Sequence, residues 1–140
     1  KSTIAKKLRA NILADDRSLV RFIENKPRVF GSPFYERVNF KKNPIDLELK
    51  AIFLLKKKMK LDKIRIHRFN SSSEALLRIM PHIVIREELP SGQRSGQWQA
   101  VFRQAEKLVK SIPIYSLSWP FEKTNSRELY EALYDKLLKN

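Results

Sequence analysis

The stretch from Leu49 to Phe69 constrains the fold of this 140-residue chain more than any other. It begins with apolar residues, continues into a run of lysines and ends with alternating basic and apolar residues. This pattern predicts a helix from about Pro44 to Lys60, a tight turn at Leu61-Asp62 and a strand from Lys63 to Phe69. Each of the two elements then has an apolar side that can be buried and a positive side that must face solvent.

The rest of the sequence alternates between patterns typical of helices and of strands. Apolar residues spaced three and four apart indicate helices, and short β-branched or alternating runs indicate strands. Six of the seven prolines fall at the boundaries drawn from this periodicity. The predicted elements outside the central stretch are helices over 2–14 and 16–25, a strand over 34–40, a helix over 74–80, a strand over 82–87, a helix over 97–111, a strand over 112–119 and a helix starting near residue 125.

Two of these helices have clear capping signals in the sequence. The serine-rich segment Asn70–Glu74 precedes one of them and places a carboxylate in its first turn. Asn125-Ser126-Arg127-Glu128 has the form of a capping box, with Asn in place of Ser or Thr. Such residues accept hydrogen bonds from the backbone N–H groups that a helix start leaves unpaired.

The order of elements predicts an α/β fold. After two N-terminal helices, strands and helices alternate strictly, which implies crossover connections and a parallel sheet. We therefore expect a four-stranded, mostly parallel sheet flanked by helices, within one domain over 1–140. An N-terminal helical pair over 1–26 would pack on the α/β core over 33–140. An α+β fold, in which strand 34–40 pairs antiparallel with strand 63–69, is the alternative.

The charge balance of the chain indicates its class of partner. Lys and Arg number 29 and Asp and Glu number 15, so the formal net charge is +14. Residues 41–68 hold ten of the bases and three of the acids, which is half of that net charge. An unbalanced basic surface favours a polyanion, with phosphates neutralised and counterions released. The residues expected to contact nucleic-acid backbone are Lys41, Lys42, Lys56, Lys57, Lys58, Lys60, Arg65 and Arg68.

A second anion site is predicted at the carboxyl ends of the strands, where open α/β sheets bind ligands. Serine hydroxyls and helix N-terminal amides suit phosphate or sulfate. The residues concerned are Ser71, Ser72, Ser73 and Arg94. The alternative interpretation is that these residues form ordinary caps and turns.

Aromatic side chains that could stack on bases are few in this sequence. Tyr35, Trp98, Trp119 and Phe121 are the candidates. Trp98 lies on the apolar stripe of its predicted helix, which favours a core position. Tyr35 and Trp119 lie nearer to predicted loops.

Several classes of enzyme do not fit the composition. The absence of cysteine excludes disulfides, thiolate chemistry and cysteine-based zinc modules, and three glycines are too few for a P-loop or dinucleotide site. Glu48-x-Lys50 resembles a nuclease triplet, but it falls at a predicted helix start, where acids favour the helix dipole. His67 and His82 have no acid or serine at a telling spacing. We therefore expect a binding protein with no catalytic residues, metal or cofactor.

The sequence as a whole predicts a nucleic-acid-binding domain that recognises RNA or DNA backbone, largely without sequence preference. It would act with other protein subunits in a larger nucleoprotein or mobile-element assembly. Two alternatives are a nuclease-like enzyme acting at the strand ends and an interaction domain for an acidic protein. The lack of cysteine fits an intracellular protein, and the longest apolar run, Ala51–Leu55, is too short to span a membrane. Because the sequence starts with Lys1, we expect it to be part of a longer chain.

Overall fold

The computed structural model describes residues 4, 8, 18–31, 46–57, 63–83, 94–120 and 125–138. Ile4 and Leu8 are helical. One turn of 3-10 helix, Met80–His82, follows the α-helix Ser72–Ile79. The elements in chain order are β1 (Leu19–Ile23), β2 (Lys26–Phe30), β3 (Asp46–Glu48), β4 (Ile52–Lys57), β5 (Arg65–Arg68), α1 (Ser72–Ile79), α2 (Arg94–Ser111), β6 (Ile114–Trp119) and α3 (Ser126–Leu138).

The first sheet is antiparallel, with strand order β1-β2-β3. Glu24 and Asn25 join β1 to β2 with backbone φ angles of 49° and 62°. Positive φ at both central residues is the geometry of the two-residue hairpin turn that matches strand twist. The prediction of an N-terminal helical pair is therefore wrong, because β1 and the turn at Glu24-Asn25 occupy most of the second predicted helix. The burial of β1 alternates with period two, and Val20 and Phe22 face the core.

The second sheet has the strand order β4-β6-β5. β4 pairs with β6 in parallel, whereas β5 pairs with β6 antiparallel. All six residues of the central strand β6 are buried. The predicted four-stranded, mostly parallel sheet is therefore wrong, and the described residues form two three-stranded sheets, one antiparallel and one mixed. The helix predicted over 44–60 is also wrong, since β3 and β4 lie within it.

Five other predicted elements are confirmed, namely β5, α1, α2, β6 and α3. The two predicted caps are present as well. Ser71 Oγ accepts a hydrogen bond from Glu74 N at 3.1 Å, and Asn125 Oδ1 accepts one from Glu128 N at 2.7 Å. The strand predicted over 34–40 lies outside the described residues, as does most of the one predicted over 82–87.

The mixed sheet has a hydrophobic core on each face. On one face, α1, α2 and the antiparallel sheet cover it, and Phe69, Leu108 and Ile114 are buried between them. On the other face, Leu117 and Leu129 join β6 to α3, and Ile4 packs in the same cluster. Burial on both faces explains the nearly continuous apolar sequence of β6.

Candidate nucleic-acid interface

The register of the mixed sheet determines which side chains share its first face, the face toward α1 and α2. Side chains alternate along a strand, so Ile114, Ser116 and Ser118 of β6 lie on this face. At one end of it, Ile52 pairs with Ile114, and Phe69 N donates to Ile114 O at 3.0 Å. That end is apolar and belongs to the core.

The other end of the first face is basic. Lys56 of β4 and Arg65 of β5 flank Ser118 in one line across the three strands, which we name the basic row. In the next line, Ser116 lies between Leu54 and His67. Lys56, Arg65 and His67 are exposed, whereas both serines are buried. Two buried hydroxyl-bearing residues therefore lie beside exposed cationic side chains.

Strand direction places the basic row at the carboxyl ends of β4 and β6. This is the edge at which open α/β sheets bind ligands. β5 runs the opposite way, so Arg65 is at its start and Arg68 is at its end. Arg68 pairs with Tyr115 and therefore lies on the second face, about 10 Å along the strand from Arg65.

The structure brings together some of the predicted phosphate contacts and separates others. Lys56 and Arg65 share the basic row, and Lys57 ends β4 opposite Trp119. Arg65 also lines a cavity of about 610 Å³ between β5 and α3, together with Arg68 and Tyr115. The remaining predicted contacts, Lys41, Lys42, Lys58 and Lys60, lie outside the described residues.

The predicted serine–arginine phosphate site is divided. Ser71 and Ser72 line a cavity of about 370 Å³ at the start of α1, with Arg68 from the end of β5 and Lys110 from the end of α2. Ser71 acts as the helix cap, and Ser73 is exposed in the first turn of α1. Arg94 begins α2 and lies roughly 24 Å along the helix from Lys110. The ordinary capping interpretation therefore accounts for Ser71, and Arg94 does not join the serines.

Ion pairs neutralise several bases elsewhere in the molecule. Arg28 pairs with Asp46. Lys50 Nζ lies 2.7 Å from Glu48 Oε1, and the hydrogen bond from Lys50 holds the pKa of Glu48 below its ordinary value.

Helices α2 and α3 contain two further pairs. Lys110 Nζ lies 2.6 Å from Glu106 Oε1. Arg127 Nε lies 2.8 Å from Glu131 Oε1, and this hydrogen bond raises the pKa of Arg127. Lys56 and Arg65, by contrast, have no ion pair within the described part of the chain. Their charge remains available to an external anion.

Two features of this region did not follow from the sequence interpretation. Ser116 and Ser118 were part of an apparently continuous apolar run, although their spacing of two residues would have placed both on one face. The aromatic expectations were also reversed. Trp98 is 53% exposed, whereas Trp119 is buried. Tyr35 and Phe121 lie outside the described residues.

The Glu48-x-Lys50 triplet lies at the end of β3 rather than at a helix start, and Lys50 pairs with Glu48. His67 faces Ser116 across the strands, but no hydrogen bond joins their side chains. In the ranges that the structure describes, no cluster of three His, Cys, Asp or Glu residues could hold a metal ion. Within the same ranges, no helix is both long and apolar enough to cross a bilayer.

Comparison with protein-family models, with curated proteins and with solved structures found no match to this chain.

Proposed function

We propose that this chain binds the phosphate backbone of nucleic acid at the basic row, largely without sequence preference. The observation that supports this proposal is the combination of Lys56 and Arg65, both without an ion pair in the described residues, on either side of the buried Ser118. The net charge of +14 adds long-range attraction for any polyanion.

Each component of the basic row has a distinct role in this proposal. The guanidinium of Arg65 can donate two parallel hydrogen bonds to a phosphate, and the ammonium of Lys56 acts as a compact point charge. Ser118 is buried between them and sets the spacing of the two cationic side chains. These groups contact phosphate rather than base edges, so the binding tolerates any sequence.

The cellular setting belongs to the same proposal. A backbone-binding chain of this charge would act in a larger nucleoprotein or mobile-element assembly, with other protein subunits and in an intracellular compartment. The basic composition and the lack of cysteine are the observations that favour this setting.

The experiment is fluorescence anisotropy with labelled single- and double-stranded nucleic acid across a salt series. We expect a steep negative slope of log K against log salt for the unmodified chain. The double variant Lys56→Ala/Arg65→Ala should lower the magnitude of that slope on duplex DNA by about 1.8, since each lost phosphate contact removes about 0.9. Affinity at low salt should fall by roughly tenfold or more.

The matched control is Arg21→Ala/Arg78→Ala. It also removes two exposed positive charges, but from β1 and α1, away from the basic row. Its salt slope should stay close to that of the unmodified chain. An equal loss in both variants would mean that net charge alone attracts the polyanion, and would contradict the assigned site. No binding at low salt would reject the function and favour an acidic protein partner.

A further inference from the structure

Two pairs of aromatic side chains are left exposed on the described surface. Trp98 and Phe102 of α2 are 53% and 48% exposed, and Tyr130 and Tyr134 of α3 are 51% and 46% exposed. Both pairs have the i,i+4 spacing that places side chains together on one helix face. The two pairs are therefore alike in size, exposure and spacing.

The pair on α2 continues a stripe that is buried farther along the same helix. Ala105 and Val109 follow Trp98 and Phe102 at helical spacing, and both are buried. The C-terminal half of α2 thus packs on the core, while its N-terminal half presents aromatic rings to solvent. Exposed apolar surface of this kind is typical of a binding site.

The aromatic half of α2 extends about as far from the loop before β6 as the basic row does. Only Ile112 and Pro113 separate α2 from β6, and α2 packs on the first face of the sheet, so helix and strand run in opposite directions. Phe102 lies roughly 15 Å back along the helix from Ile112. Ser118 lies roughly 13 Å forward along β6 from Ile114. Phe102 and Ser118 therefore lie at nearly the same distance from the loop that joins α2 to β6.

Charge distinguishes the two aromatic pairs. Helix α2 contains four bases, Arg94, Arg103, Lys107 and Lys110, and one acid, Glu106, so it is basic overall. Helix α3 has three acids, Glu128, Glu131 and Asp135, against two bases, Arg127 and Lys136. A polyanion would therefore be attracted more strongly to the α2 surface than to the α3 surface.

We propose that Trp98 and Phe102 form a stacking platform for unpaired bases of a single-stranded nucleic acid whose phosphates lie on the basic row. This inference rests on the proposed function and adds that the nucleic acid is single-stranded. Aromatic rings stack on any base, so the platform keeps the tolerance of sequence that phosphate contacts imply. In a duplex the bases are already stacked and paired, so Trp98 and Phe102 add nothing to the affinity.

The test compares Trp98→Ala/Phe102→Ala with Tyr130→Ala/Tyr134→Ala. The probes are a labelled thymidine oligomer of about 16 nucleotides and a duplex of the same length. The α2 variant should bind the single strand roughly 10- to 100-fold more weakly, with duplex binding changed less than about twofold. The α3 variant should bind both probes like the unmodified chain. Circular dichroism and thermal unfolding establish that each variant is folded.

Tryptophan fluorescence provides a second readout that does not depend on an alanine variant. Trp98 is exposed and Trp119 is buried, so a stacked base should quench mainly the Trp98 emission. The thymidine oligomer should therefore quench the unmodified chain, and Trp98→Phe should keep most of the affinity while losing most of the quenching. Quenching that survives in Trp98→Phe would overturn the platform.

The outcomes separate this inference from the function on which it rests. If neither probe binds the unmodified chain at low salt, both proposals fail. If Lys56→Ala/Arg65→Ala weakens binding but Trp98→Ala/Phe102→Ala does not, only the stacking platform fails. A dimer of the unmodified chain that Trp98→Ala/Phe102→Ala dissociates would show that a second copy covers these rings, and would overturn the platform as well.

Discussion

At the scale of single residues, the hairpin turn shows a conflict between sequence and backbone. Glu24 has a φ angle of 49°, in the left-handed region that side chains with a Cβ rarely adopt. Its neighbour Asn25 has a φ angle of 62°, but Asn tolerates this region. Asn25 Oδ1 also accepts a hydrogen bond from Lys107 Nζ at 3.0 Å, which links the turn to α2. The strain of the turn is therefore concentrated at Glu24.

Replacing Glu24 with Asn should stabilise the fold. We expect Glu24→Asn to raise the free energy of unfolding by roughly 0.5–1 kcal/mol, because Asn is favoured at the first central position of this turn type. Urea denaturation measures the change. Glu24→Ala is the control, since it removes the same carboxylate but keeps a side chain that disfavours positive φ. An equal gain from Ala would mean that the lost charge, rather than the backbone angle, causes the effect.

Residue-level signals in the sequence were predictive where the interaction is local. The caps at Ser71 and Asn125 were recognised because donor and acceptor lie three residues apart. The exposure of Trp98 could not be recognised in this way. Its helical spacing fits a core stripe. How much of that stripe is covered depends on segments that are distant in the sequence.

At the scale of secondary-structure elements, the region 44–60 explains the main error. Ile45, Leu49, Ile52 and Phe53 fit a helical stripe, and Asn43-Pro44 resembles a helix start. A short continuous apolar run is nevertheless ambiguous between a helix and a strand that is covered on both faces. β4 is such a strand, because Leu54 packs with the first core and Phe53 with the second.

The same ambiguity limited what could be predicted of the candidate interface. The basic composition near Lys56 and Arg65 can be read directly from the sequence of that segment. Their alignment with Ser118 depends on strand pairing between residues that are more than fifty positions apart in the sequence. The antiparallel direction of β5, which places Arg65 rather than Arg68 opposite Ser118, does not follow from periodicity either.

The central position of β6 predicts unequal costs for two leucine truncations. Leu117 lies between Leu55 and Ile66 in the register and is 1% exposed, whereas Leu55 on the flanking strand is 37% exposed. Leu117→Ala should lower the free energy of unfolding by about 3 kcal/mol, through lost burial and the cavity left behind. Leu55→Ala should cost about 1 kcal/mol or less, because less apolar area is removed from the core.

Urea denaturation of both variants tests the strand order, with unchanged m-values as the check for two-state behaviour. Equal losses from the two truncations would argue that β6 is not the central strand. A larger loss from Leu55→Ala would argue the same.

At the scale of the whole molecule, charge affects stability and binding in opposite directions. A net charge of +14 repels itself in the compact state, and salt screens this repulsion. Salt also weakens attraction to phosphate, because counterion release becomes less favourable. A ligand that binds the folded chain raises its apparent stability by mass action. Salt should therefore stabilise the free chain and destabilise its complex.

Thermal unfolding with and without a single-stranded oligonucleotide should reveal this reversal of sign. For the free chain, we expect the Tm to rise by a few degrees as NaCl increases from roughly 20 to 200 mM, because the Debye length falls below about 10 Å. With saturating oligonucleotide, the Tm should start higher and fall over the same range toward the value for the free chain. In Lys56→Ala/Arg65→Ala the fall should be smaller, since fewer phosphate contacts remain to be lost. If the Tm of the complex rises with salt, apolar burial rather than the basic row holds the oligonucleotide. Added salt weakens both the attraction to phosphate and the gain from counterion release.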